Sequence, residues 1–241
     1  MVFFFRPMLI IFWVYMLVAL LPAVGLMVYI YRLDKIEHEP VGLILKLVFF
    51  GGIAAVISGF LETIGQKILH LFQFDTASPV YTILLAFLVV ALVEEGMKFF
   101  FLYKGSWKDP NFDYTFDAVV YSAAVSLGFA ALENVMYVFG FGLSVGFMRA
   151  FLSIPGHLAF AILAGLFYGK AKEREKAGWK AGACFELFTG LLLAIVLHGL
   201  YDMTAMLGNA TAIVCFVVIV AVIYFIIFRL VRKAANDDHP L

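Results

Sequence analysis

The run Tyr81-Thr82-Ile83-Leu84-Leu85-Ala86-Phe87-Leu88-Val89-Val90-Ala91-Leu92-Val93-Glu94-Glu95-Gly96-Met97-Lys98-Phe99-Phe100-Phe101-Leu102-Tyr103 decides what kind of molecule this is. It is long enough to cross a hydrocarbon core, which takes about 20 apolar residues as a helix. Yet two carboxylates and an ammonium group sit near its middle. At the centre of a bilayer such a group costs about 2.5–3.5 kcal/mol on insertion scales, so it is kept where it faces a protein interior and has work to do.

The rest of the chain repeats the apolar signal. Of the 241 residues 64% are hydrophobic and 14% are charged, against about 45–50% and about 25% in soluble domains. No water-soluble fold can cover so much apolar surface. Seven spans are expected, at 8–31, 41–61, 80–103, 117–140, 146–169, 184–206 and 210–231. The fold class is therefore all-α, a polytopic membrane helix bundle forming one transmembrane domain over 1–241, with no soluble domain and no repeat. The first run exceeds the roughly 7–15 residues of a signal-peptide core and reads as a retained helix. No lipidation signal is visible. The second span is the weakest, because Lys46 and the Gly51-Gly52 pair interrupt it. It reads as either a crossing or a re-entrant or interfacial segment.

Charge placement sets the orientation. Arg32, Lys35, Lys104, Lys108, Lys170, Lys172, Arg174, Lys176, Lys180, Arg229, Arg232 and Lys233 fall on one side. Arg6 and Lys67 fall on the other, with Arg149 near a span end. The positive-inside rule then puts the N-terminus outside and the C-terminus in the cytoplasm. The basic 170–180 connector reads as an anchor beside anionic lipid, not a nucleic-acid site. Cys184 and Cys215 lie in apolar runs and read as small buried hydrophobes, with no disulfide framework or CxxC site. His38, His70 and His239 fall in connectors or the tail, whereas His157 and His198 fall inside spans.

Four spans carry polar groups that lipid would not tolerate. In the third, Glu94 and Lys98 are four apart and share a helix face, while Glu94 and Glu95 diverge by about 100°. Paired carboxylates beside a lysine can poise one of them as a general base, or can simply join helices as a structural ion pair. In the fourth, Glu133 and Tyr137 share a face next to the small residues Gly128, Ala130 and Ala131, which admit a close neighbour. Glu133 can bind a metal, hold a histidine, orient water or pair with Lys98 or Arg149. In the fifth, Pro155-Gly156 loosens the backbone beside His157, as suits a cavity wall. In the sixth, His198 and Asp202 are four apart and can share a metal or a proton, or make a plain hydrogen bond. Counting about 1.5 Å per residue, these groups fall at similar depths, so one site formed by spans three to six is feasible.

These blocks resemble those of PrsW-type intramembrane proteases, a family related to the CAAX prenyl endopeptidase and bacteriocin-processing group. Glu94-Glu95-Gly96-Met97-Lys98 fits EExxK, Gly128 to Asn134 with Tyr137 fits GFAxxENxxY, Arg149 with His157 and Gly165 fits the third block, and His198 to Asp202 fits HxxxD. The match covers about residues 80 to 203, and 80–206 would be a catalytic four-helix core. Ala118, Ser122 and Ser126 stand where the family has small or glycine residues. The resemblance implies a protease of a bacterial cytoplasmic membrane that hydrolyses membrane-anchored protein or peptide substrates, such as anti-sigma factors, with no nucleic-acid partner. It implies Glu94 as the base that activates water, with Glu95, His157, His198, Asp202, Glu133 and Asn134 as catalytic candidates and Lys98, Tyr137 and Arg149 in support. Zinc is the one candidate cofactor, on Glu95, His157, His198 and Asp202, although HExxH is absent and a metal-free glutamate mechanism looks the same from sequence.

Other readings make different demands. A proton- or ion-coupled transporter would also use midplane carboxylates and a broken helix at Gly51-Gly52, but predicts paired repeats, and none is found. A seven-span zinc-dependent lipid amide hydrolase usually needs three metal histidines, and only two lie in spans. A retinal-type receptor would want a lysine in the last span, which has none before Arg229. A non-catalytic scaffold with the same fold is the fourth reading.

Overall fold

The computed structural model describes residues 2–241, with side chains from residue 9 onward. Eight helices account for the described residues: α1 (Val2–Leu33), α2 (Val41–Leu71), α3 (Pro79–Ser106), α4 (Asp117–Phe141), α5 (Leu143–Phe151), α6 (Ser153–Lys176), α7 (Lys180–Leu207) and α8 (Ala210–Asn236). α5 and α6 are two pieces of one crossing, broken at Leu152, so seven helices are long and apolar enough to span a membrane. All-helical architecture is one of the two that lipid allows, because each backbone N–H and C=O finds its partner within its own segment.

The bundle is apolar outside as well as inside. Large side chains such as Phe49, Phe60, Phe185 and Val214 lie on its outer surface. α4 and α6 are the enclosed centre: every residue from Asp117 to Ala130 is buried, as is Ile154 to Ile162. α2 and α6 flank α4, α7 packs along α6, and α3 bridges α2 and α7. This inversion overturns the expectation for the cysteines. Cys184 and Cys215 are both free and exposed on the outer face, where lipid is as good a solvent for a thiol as a core.

The weakest predicted span is a continuous helix of 31 residues, ten longer than expected. Gly51 does not break it. A Cβ at Gly51 would run into the Val125 carbonyl, and one at Gly128 would run into the Val48 carbonyl. The glycines let the α2 and α4 backbones touch, as small residues do between membrane helices. Gly165 presses likewise on Val119. His70, expected in a connector, lies in the last turn of α2.

Turn chemistry fixes the connections. Ser78 caps α3 by accepting the Tyr81 amide, and Asn209 caps α8 by accepting the Ala212 amide. Gly208 ends α7 in the left-handed conformation, and Gly142, at φ +92°, turns the chain from α4 into α5.

Candidate active site

The decisive stretch of α3 is not a regular helix. Residues Leu85–Ala91 form a π-helical turn, in which the Leu92 amide donates to the Phe87 carbonyl five residues back. Such widened turns recur at functional sites. This one precedes Glu94 directly. Gly199 of α7 lies against the Phe87 ring, where a Cβ would collide with it. The contact brings His198 up to α3.

The polar groups of four crossings converge here. Lys98 Nζ donates to Glu94 Oε2 (3.1 Å), to Glu95 Oε1 (2.8 Å) and to His157 Nδ1 (3.0 Å). An ammonium has only donors, so Nδ1 is the bare nitrogen of His157 and Nε2 carries the proton. That Nε2–H is 2.9 Å from Glu133 Oε2. Arg149 Nη2 lies 2.6 Å from the same oxygen, an ion pair that lacks the angle of a hydrogen bond, and its guanidinium stacks over Tyr137. His198 has a carboxylate at each ring nitrogen: Glu95 Oε1 at 2.8 Å from Nδ1 and Asp202 Oδ2 at 3.3 Å from Nε2. Phe160 stacks on the His198 ring, and Phe129 covers Lys98. Ser126, one of the departures from the family pattern, donates to the His157 carbonyl (2.9 Å) and locks α4 to α6 beside the site.

The two glutamates of the pair are not equivalent. A cavity of about 420 Å³ is lined by Glu94, Glu133, His157, His198, Asp202 and Arg149. Glu95 and Lys98 lie behind its wall, on a crevice of about 10 Å³, room for one water at most. Glu94 therefore meets whatever enters, while Glu95 holds Lys98 and His198. The cavity runs toward Gln66 and Met206, near the ends of α2 and α7 that lead into the 72–78 and 208–209 connectors, with Met148 of α5 also on its wall.

Of the candidates read from sequence, Asn134 alone is not brought here. It is fully buried on the far side of α4, and its amide donates to the Ala19 carbonyl of α1 (3.0 Å). One residue beyond Glu133 is about 100° around the helix, so the EN pair splits between the site and a tether. Conversely, Glu62 and Gln66 of α2 line the cavity. The expected second span, 41–61, stops short of both; their i, i+4 spacing on one face is the signal that the sequence offers.

A metal can be tested against this set. Glu94, Glu95, His157 and His198 each offer a ligand atom within 4.8 Å of the others, a nitrogen–oxygen set of the kind zinc takes. Each imidazole turns Nδ1 inward and has a carboxylate on Nε2, which is how metal-binding histidines are oriented from behind. With both imidazoles neutral, the carboxylates of Glu62, Glu94, Glu95, Glu133 and Asp202 outnumber Lys98 and Arg149, so the cluster can take further positive charge. The set fits a divalent metal in chemistry and charge. Lys98 Nζ takes the cationic place among these ligands.

The family model described as PrsW family intramembrane metalloprotease matches residues 39–228. Curated relatives named Protease PrsW agree with it. That of Geobacillus kaustophilus is 35% identical over 181 residues, 75% of each chain. That of Clostridioides difficile is 32% identical over 226 residues, 92% of each chain. That of Bacillus subtilis is 31% identical over 184 residues, 75% of this chain and 78% of its own. No solved structure matches significantly. With seven apolar crossings and a buried acid–histidine cluster that reaches a cavity, this chain belongs to the PrsW family of intramembrane proteases.

Proposed function

We propose that this protease cleaves membrane-anchored regulators of the anti-sigma-factor kind in a bacterial cytoplasmic membrane, using a water activated by Glu94. The observation that carries the reading is the division of labour in the glutamate pair. Glu94 lines the cavity, while Glu95 is committed to Lys98 and His198. In this reading Glu94 takes a proton from water as the oxygen attacks the scissile carbonyl, then returns it to the leaving nitrogen. His198, held between Glu95 and Asp202, donates to the oxyanion, and His157, held by Glu133, orients the water. Lys98 fixes the Glu94 carboxylate. A zinc ion, if held by Glu95, His157 and His198 with Asp202 behind, would supply Lewis-acid polarisation of the carbonyl. The catalytic unit is then 80–206 with Glu62 and Gln66 added from α2. If the basic connectors are cytoplasmic, the cavity runs toward the outer leaflet, and cleavage falls on that side.

The test compares wild type with Glu94→Gln on a library of tagged single-span substrates, with metal content measured on the same samples. Glu94→Gln should fold and lose cleavage by about 10²–10⁴-fold, the usual worth of a general base. A folded variant that cleaves as wild type does removes Glu94 from this role.

A further inference from the structure

A second group of carboxylates lies at the opposite end of α4. Asp34 and Glu39 come from the α1–α2 connector and Asp117 opens α4; all three are buried, and each offers an oxygen within 4.8 Å of the others. Nothing in the protease chemistry uses them. Asp117 sits 16 residues before Glu133, about 24 Å along the helix.

Their partners are unevenly shared. Asp117 Oδ2 accepts the Asp113 and Tyr114 amides (3.0 and 2.7 Å), which fixes it at the helix start. Glu39 Oε2 accepts the Tyr121 hydroxyl (2.7 Å) and lies within bonding reach of Asp117. Asp34 is different. Both of its oxygens are sealed from solvent and neither has a hydrogen-bond partner among the described residues; the Glu39 amide approaches without closing a bond. No ion pair among the described residues reaches any of the three. The charge of His38 bears on Asp34, but His38 makes no ion pair with it. An ionised carboxylate buried without a direct donor or ion-pair partner is costly, and proteins satisfy it by pairing or by binding a metal.

We propose that Asp34, Glu39 and Asp117 bind a hard divalent cation of the calcium type, which clamps the α1–α2 connector to the start of α4. The ligands are all oxygens, two from the α1–α2 connector and one from the start of α4. Calcium accepts such sets at about 2.3–2.6 Å, whereas magnesium demands a near-ideal octahedron and keeps its waters. Oxygens on opposite sides of a calcium ion stand about 4.6–5.2 Å apart, so three oxygens within 4.8 Å of one another can share one ion. The electrostatics agree. Without a cation, burial pushes Asp34 up to about 6 and Glu39 up to about 9. The alternative is a proton shared between Glu39 and Asp117, which leaves Asp34 unexplained.

The experiment is a terbium titration of the purified, chelator-treated protein, with calcium as competitor and thermal unfolding in parallel. Expected are one saturable ion per chain, displaced by calcium, and a calcium-dependent rise in Tm. Asp34→Asn and Glu39→Gln should each weaken binding at least tenfold, while Glu94→Gln and His198→Ala leave it unchanged. No saturable site in the wild type up to about 10 mM calcium, beyond even weak extracellular modules, overturns the proposal whether or not any variant folds. So does binding that survives Asp34→Asn or is lost in His198→Ala, which would move the ion to the other cluster. Where Asp34→Asn does not fold, Glu39→Gln and Asp117→Asn replace it by the same criterion. The result is independent of the protease reading, since neither readout is cleavage.

Discussion

α4 carries a buried acidic cluster at each end, and the two solve the same electrostatic problem in opposite ways. Around Glu133 the chain supplies its own cations: Lys98 bridges the glutamate pair and Arg149 meets Glu133. Around Asp117 no ion pair is made among the described residues, and two backbone amides and a tyrosine hydroxyl are the main donors. The first cluster opens on a cavity, while Asp34 in the second is closed off from solvent. The contrast separates a site built to meet a substrate from one built to hold its surroundings. Charges that must change during a reaction need mobile counter-charges beside them; charges that only anchor can share one fixed ion.

The comparison is most easily broken at Lys98. Lys98→Met keeps the volume and removes a cation that touches both glutamates and His157. Removing one partner of a buried pair typically costs about 3–5 kcal/mol, because the other charge stays behind. The variant should unfold at lower temperature and lose cleavage. Added zinc should restore part of the stability if an ion can take the place of the ammonium. Unchanged unfolding would mean that the first cluster is neutralised in some other way.

A substitution midway along α4 tests whether the two ends share one frame. Gly128→Val drives side-chain atoms into the Val48 carbonyl of α2. Overpacking costs about 1–3 kcal/mol in cores with room to relax, and a backbone carbonyl has little. Cleavage and calcium binding should both fall, since α2 lines the cavity and continues directly from the connector that holds Asp34 and Glu39. Loss of only one would show that the ends are held independently.

Much of this frame is legible in the sequence. Seven runs of some 20 apolar residues cross lipid as helices, and the depth count makes one site of Glu94, His157 and His198 feasible. What is not legible depends on neighbours. Glu62 and Gln66 look like the end of a span because polarity is read without knowing that a cavity waits there. Asn134 looks catalytic beside Glu133, and only the packing of α1 shows that it ties helices. The π-helical turn before Glu94 leaves no trace in an apolar run whose composition suits either helix. Asp34, Glu39 and Asp117 resemble ordinary solvated connector acids until the fold buries them in one place.

Glu133→Gln sharpens the assignment of roles within the first cluster. The amide keeps its shape and can still accept the His157 Nε2–H, but it loses the charge that faces Arg149. A residue that acts by orienting a histidine typically loses about 10–100-fold when changed. The expected signature is a fall in kcat with little change in KM and a moderate fall in Tm from the unpaired Arg149, and Glu133→Asp should recover part of both. A loss as large as that of Glu94→Gln would place Glu133 in contact with the reacting atoms.

The smallest effect belongs to the second cluster. Tyr121→Phe removes the hydroxyl that donates to Glu39 (2.7 Å) and leaves the ring in its aromatic packing on Phe112. A single neutral hydrogen bond contributes about 0.5–1.5 kcal/mol, and one to a charged group about 1.5–3. Because a bound cation would satisfy Glu39 in the absence of the tyrosine, the cost should be near the lower figure with calcium and larger after chelation. Cleavage should stay within about twofold of wild type, since Tyr121 lies 12 residues before Glu133, about 18 Å along the helix. Equal destabilisation with and without calcium would leave Tyr121 bonded to a protonated Glu39 that no ion reaches. A cleavage defect matching that of Glu133→Gln would instead couple the two ends of α4, and the division between a reacting cluster and an anchoring one would have to be given up.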